Sequence, residues 1–92
     1  MTEKLENLAK KLQLAGDSNR MKILCLMFDS KRICVSEIAR KLNLSVAIVS
    51  HHLQALADEG LAVPERNGKM VCYQIEQSDF MKDLKKMICK YK

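Results

Sequence analysis

Residues 36–60 read SEIARKLNLSVAIVSHHLQALADEG, and the fold follows from the spacing within them. Ser36 can cap a short helix that turns Ile38, Ala39 and Leu42 to one side. Asn43 tolerates the left-handed backbone that ends a helix, and Ser45 can cap the next helix only three residues after Leu42. Two helices joined by so tight a turn predict a helix-turn-helix over residues 36–59. Gly60 stands where glycine is favoured as a helix stop.

The second helix of this pair, residues 46–59, is two-faced. At 100° per residue Val49, Leu53 and Leu56 gather on one side, and Ala47, Ser50, His51, Gln54 and Asp58 gather opposite. The outward set is short, polar and nearly free of bulk, a surface that can enter a DNA major groove and reach base edges. A plain solvated face is the alternative, and the tight turn before the helix and the hairpin signal after it favour the groove. Residues 46–59 hold no Lys or Arg, so cations for phosphate are expected from the flanks: Arg40 and Lys41 before the turn, Arg66 and Lys69 around the hairpin. Lys82, Lys85, Lys86, Lys90 and Lys92 read as a solvated face.

Beyond Gly60 the period changes to two. Leu61 and Val63 lead to Arg66, then Asn67-Gly68, then Val71, Tyr73 and Ile75, a hairpin pattern over residues 61–75 with the turn at Asn67-Gly68. Pro64 confines its strand to an edge. Toward the N-terminus, residues 2–14 place Leu5, Leu8, Leu12 and Ala15 on one stripe, and a helix after Asp17 or Ser18 is apolar almost all round. Ser78 can cap a last helix, residues 78–91, with Phe80, Leu84, Met87, Ile88 and Tyr91 on one stripe. The expected fold is mainly α with a small β-hairpin wing: a winged helix-turn-helix of about five helices, one domain over residues 1–92. A chain of 92 residues buries only about 60 to 65 % of its unfolded surface, which predicts a homodimer through the first and last helices.

Composition narrows the function classes. The net charge of +5 doubles in a homodimer and suits a polyanion, either nucleic acid or an anionic membrane surface. No apolar run approaches the roughly 20 residues of a membrane span, and residues 1–11 lack the apolar core of a signal peptide, so a cytoplasmic protein with no membrane partner is expected. No paired carboxylates, nucleophile beside a base or phosphate-cradling glycine loop can be assembled, which argues against an enzyme; no cofactor is expected. The rival is a winged helix used for protein contacts, which Val46 and Ile48 would favour. The last helix has an amphipathic form that could also lie on a membrane, but its stripe serves a dimer interface better.

The runs Val35-Ser36-Glu37-Ile38-Ala39, Leu42-Asn43-Leu44-Ser45, Val49-Ser50-His51-His52-Leu53, Leu56, Glu59-Gly60-Leu61 and Gly68-Lys69-Met70-Val71-Cys72-Tyr73 closely resemble the ArsR/SmtB winged-helix repressors. The resemblance covers about residues 14–75. It implies homodimers that leave operator DNA when an effector binds, with Ser50 and His51 facing the groove. One departure lies in the reading head, where Val46, Ala47 and Ile48 follow the capping Ser45 in place of polar residues usual in the family. Ala47 and Ile48 can contact thymine methyls, so a different operator sequence is expected. The DNA-contact set is then Arg40, Lys41, Ser45, Ala47, Ile48, Ser50, His51, Gln54, Arg66 and Lys69.

The effector is read from four scattered cysteines, Cys25, Cys34, Cys72 and Cys89, expected to start as thiols. Members of the family that sense soft metals often carry Cys-Val-Cys where this chain has Cys34-Val35-Ser36, and one thiolate is no site unless other cysteines converge on it. The zinc branch uses Asp and His on the last helix, yet residues 78–92 contain no His, and His51 and His52 are adjacent rather than i, i+4. A third branch senses sulfide or oxidants through two cysteines, which Ile23-Leu24-Cys25 and Cys89 resemble. Cys25 also fits a small buried hydrophobe. Cys72 reads as outward-facing and without a partner. The resemblance thus implies reactive sulfur or an oxidant acting at Cys25 and Cys89, with a soft metal ion at Cys34 as the alternative.

Overall fold

Backbone amides at a helix start need partners, and four side chains supply them here. In a computed structural model that describes residues 2–92, Thr2, Asp17, Ser45 and Ser78 each accept the N–H three residues on. They open α1 (Glu3–Ala15), α2 (Ser18–Phe28), α4 (Val46–Asp58) and α5 (Asp79–Tyr91). Between them lie β1 (Ile33–Cys34), α3 (Val35–Leu42), β2 (Ala62–Asn67) and β3 (Met70–Ile75). The single domain expected over residues 1–92 includes Met1, which lies outside the described residues.

α3 departs from expectation at its start. Its N-cap is Cys34, not Ser36, and no side chain accepts a hydrogen bond there. The cause is β1, a two-residue strand that pairs antiparallel with β3 through Ile33↔Tyr73 and Cys34↔Cys72. Held extended by this ladder, the chain enters the helix directly after Cys34, and Ser36 falls inside the first turn.

The wing is therefore part of a three-stranded sheet ordered β1-β3-β2, with β3 central. Two residues are too few to show a period of two, so β1 leaves no pattern in the sequence. Its presence corrects the reading of Cys72, which is 1% exposed rather than outward-facing, because Cys34 on β1 lies across from it. Pro64 sits on edge strand β2 as expected. The hairpin turn is displaced by one residue: Asn67 pairs with Met70, so Gly68 and Lys69 are the central residues. Only Gly68 of the two has a positive φ, 64°, the requirement of a II′ turn.

α2 is the pillar, touching α1, α3, α4, α5 and β3. Ile23, Leu24 and Met27 from α2 meet Ile38 of α3, Val49, Leu53 and Leu56 of α4, and Met81, Leu84 and Ile88 of α5 in one core. The expected stripes of the outer helices are only half used. In α1 only Ala15 is buried, while Leu5, Leu8 and Leu12 remain 39–49% exposed. In α5 Met81 takes an inward place that the sequence suggested for Phe80, and Met87 and Tyr91 are left exposed.

Candidate DNA interface

The turn between α3 and α4 is fixed by Asn43 in the left-handed region, φ 55° and ψ 45°, and by Ser45 Oγ, which accepts from the Ile48 N–H at 3.1 Å. These two residues aim α4. Val49, Leu53 and Leu56 are wholly buried on its inner side, and Ala47, Ile48, Ser50, His51 and Gln54 are exposed on the other. The outward face carries one internal restraint: Gln54 Nε2 donates to Asp58 Oδ1 at 3.0 Å. This bond uses one N–H and leaves the Gln54 amide oxygen and its second N–H free of it.

Of the flanking cations, Arg40, Arg66 and Lys69 are exposed, and Lys41 Nζ lies 3.7 Å from Glu37 one turn earlier. Such exposed pairs contribute little and yield readily to phosphate. A cation the sequence reading passed over, Arg32, pairs with Glu65 of β2 at 3.2 Å. It joins the loop before β1 to the wing.

His52 does not belong to the outward face. It is half-buried, and its Nδ1 lies 3.2 Å from Nη1 of Arg20 on α2. A guanidinium can only donate, so Nδ1 accepts and the neutral ring carries its proton on Nε2. Arg20 Nε donates in turn to the Leu14 carbonyl at 2.7 Å, and Asp17 Oδ2 accepts the Arg20 N–H at 3.0 Å. Nothing in the sequence pairs residues 32 positions apart, so this link could not be read there. Burial holds the His52 pKa below 6.5, Asp17 opposes, and Arg20 and His51 reinforce the lowering.

The sign of the resulting pH dependence is fixed. The unfolded His52 takes up a proton near pH 6.5 while the folded ring resists it, so stability falls as pH drops below about 6.5 through the folded value. Thermal melting between pH 7.5 and 5 should show this loss, and His52→Asn, whose amide oxygen can still accept, should flatten it. An equal slope in the variant would assign the acid loss elsewhere.

The four cysteines separate into two kinds. Cys25 and Cys89 are free, and Cys34 is disulfide-bonded to Cys72. The expectation of four thiols is corrected: cross-strand pairing brings together two residues far apart in sequence. Cys34 is then not an isolated soft ligand, because Cys72 occupies its sulfur. Cys25, half-buried, lines an apolar groove of about 360 Å³ with Met21, Leu84, Met87, Ile88 and Tyr91, a set that does not include Cys89. Cys89 is exposed on α5. Lys92 Nζ donates to both Asp29 carboxylate oxygens at 3.0 Å. That hydrogen bond raises its pKa most, and Lys92 lines the same groove as Cys25.

The profile of the family described as "Bacterial regulatory protein, arsR family" matches residues 17–62, half of the chain, from the cap of α2 to the first residue of β2. The chain belongs to the arsR family. Among arsR relatives, a cadmium resistance transcriptional regulatory protein, CadC, of Listeria innocua is 36% identical over 64 residues, 70% of this chain and 54% of that protein. This chain thus spans about half the length of the cadmium-resistance relatives it matches. An uncharacterized HTH-type transcriptional regulator of Methanocaldococcus jannaschii is 30% identical over 86 residues, 94% of this chain and 96% of that one. In structure, HlyU from Vibrio cholerae superposes with a TM-score of 0.89 over 99% of this chain and 98% of its own, at 23% identity. A homodimeric winged helix-turn-helix DNA-binding domain from Mycobacterium bovis gives 0.77 at 22% identity, covering 98% and 82%. These likenesses establish the winged helix-turn-helix, and the relatives' names describe regulators rather than enzymes. No helix among the described residues is long and apolar enough to cross a membrane.

Proposed function

We propose that the chain is a repressor that binds an inverted-repeat operator as a homodimer and is released when Cys25 and Cys89 are oxidised. The observation that carries the DNA reading is the outward face of α4: exposed, polar at Ser50, His51 and Gln54, and flanked by Arg40, Arg66 and Lys69. Two such faces in a homodimer enter successive major grooves about 34 Å apart. The apolar residues left open on α1 and α5 supply the surface for that pairing.

DNA contacts divide by chemistry. Replacing Arg66 or Lys69 by Ala should weaken all sequences alike and reduce the slope of log affinity against log salt by about one per charge removed. Replacing His51 or Gln54 should instead change which bases are preferred, by about 1–3 kcal/mol at one position. Selection from randomised DNA reads the preference, and an unchanged preference rejects this face as the reading head.

The effector reading rests on two free thiols, Cys25 half-buried in the groove between α2 and α5 and Cys89 exposed on α5. The Cys89 thiolate attacks a terminal sulfur of a hydrogen polysulfide, the S–S bond breaks, and the shorter sulfide leaves. The Cys25 thiolate then attacks Cys89 Sγ, the bond from Sγ to the outer sulfur breaks, and hydrosulfide leaves as the Cys25–Cys89 disulfide closes. The two cysteines are oxidised and two polysulfide sulfurs leave reduced. Gel shifts with reduced and polysulfide-treated protein should show specific binding lost on treatment, and retained when Cys25 or Cys89 is Ser. Binding indifferent to polysulfide overturns the switch. The soft-metal reading draws its support from the names of relatives, cadmium-resistance regulators and an arsenical resistance repressor, while among the described residues no three Cys, His, Asp or Glu side chains converge.

A further inference from the structure

We infer that Cys34 and Cys72 form a second thiol site, a reversible dithiol–disulfide couple that exchanges with small disulfides and fastens the wing to the helix-turn-helix. Its position supports this. Cys34 is the last residue of β1 and the N-cap of α3, and Cys72 lies opposite it on the central strand β3. The bond therefore joins the first helix of the helix-turn-helix directly to the strand that carries the wing. Without it, β1 and β3 are held by a ladder only two residues long. Buried Ile33, Val35 and Tyr73 pack in the shared core beside that ladder, and the exposed Arg32–Glu65 pair adds little in water.

The two sulfurs differ in a way that orders the chemistry. Cys34 is half-buried and open to a small reactant, whereas Cys72 is 1% exposed. α3 is also the one helix among the described residues without a side chain accepting from its first turn. In the reduced protein a Cys34 thiolate can take that place, stabilised by the N–H groups it faces. Cys34 thus attacks one sulfur of a small disulfide of the glutathione type; that S–S bond breaks, and one small thiolate leaves. The Cys72 thiol, losing its proton to solvent, attacks Cys34 Sγ and expels the second thiolate. Two protein thiols are oxidised, and one small disulfide is reduced to two thiols. The reverse sequence starts with a small thiolate attacking Cys34.

This couple works in the opposite sense to the one under Proposed function. Closing it sets the wing, with Arg66 and Lys69, in the place the structure shows and tightens operator binding; only this last consequence rests on the DNA-binding reading. The test uses Cys25→Ser/Cys89→Ser protein and the unsubstituted chain in buffers of varied reduced and oxidised glutathione. Oxidation of the Ser variant should remove two thiols per chain within one protomer, with Cys34 and Cys72 in one cross-linked peptide. It should raise the melting temperature by about 10 °C or more, slow amide exchange in β1 and the wing, and tighten operator binding several-fold. Thiols that persist in oxidised buffer, or pair between chains, overturn the site. Equal melting and exchange in the two states overturn the fastening, and equal operator affinity overturns its coupling to DNA. If no DNA is bound in either state the repressor reading falls, while thiol count, melting and exchange still decide the couple.

Discussion

Leu8→Glu/Leu12→Glu protein is expected to sediment as a monomer and to bind operator fragments at least 100-fold more weakly than the unsubstituted chain. Both side chains lie on α1, 39% and 45% exposed in the protomer, and neither belongs to the buried core cluster. The fold should therefore survive, and circular dichroism should show unchanged helix content. The loss arises from valency. Two linked reading heads convert the second half-site contact into an intramolecular event, an advantage on the order of 10²- to 10⁴-fold that a monomer forgoes. A dimer that persists with both glutamates present would move the interface off α1. A monomer with undiminished affinity would remove the inverted repeat from the proposal.

Leu53→Ala should cost about 2–5 kcal/mol. Leu53 is wholly buried on the inner side of α4, and its removal leaves a cavity between the recognition helix and α2. Domains of this size are typically stable by only about 5–15 kcal/mol, so the melting temperature should fall by at least 10 °C. Ser50→Ala, three residues earlier on the exposed face, should leave melting within a degree or two and serves as the control. A change below about 1 kcal/mol at Leu53 would mean that α4 does not pack through this face. Loss of DNA binding at a temperature where Leu53→Ala remains folded would then report misaimed rather than melted α4.

These two expectations draw on different amounts of sequence information. The inner face of α4 was readable because three large apolar residues at helical spacing leave few other places for the chain to bury them. The caps at Asp17, Ser45 and Ser78, the left-handed Asn43 and the edge position of Pro64 were readable for the same local reason: each residue type has few other good uses. What stayed hidden is nonlocal. β1 is too short to show a period, and without β1 neither the burial of Cys72 nor its bond to Cys34 can be anticipated. The wing turn slipped by one residue because Gly can serve as either central residue of a tight hairpin, and only the register of β2 with β3 chooses. On α5 the sequence could identify a stripe but not divide it between the protomer's own core and the surface left open.

The proposed effector site shows the same divide. Cys25 and Cys89 were singled out by resemblance, and the structure adds an apolar groove beside Cys25 alone. Cys89 is exposed on α5 and is not among the residues that line that groove. The exposed Asp29–Lys92 pair ties the C-terminal end of α5 to the end of α2.

The chain of contacts from the Leu14 carbonyl through Arg20 to His52 has a geometric corollary. It ties the end of α1 to α4 in two side-chain steps, so in the proposed dimer the angle between the two α4 helices follows the α1 contact with little slack. B-form DNA turns about 34–36° per base pair at 10–10.5 base pairs per turn. Inserting a single base pair between the half-sites rotates one of them by that angle about the helix axis. A protein hinged at α1 could absorb such a phase error, whereas one braced in this way must pay for it by twisting the DNA. The operator's centre should accordingly tolerate changes of sequence far better than changes of length.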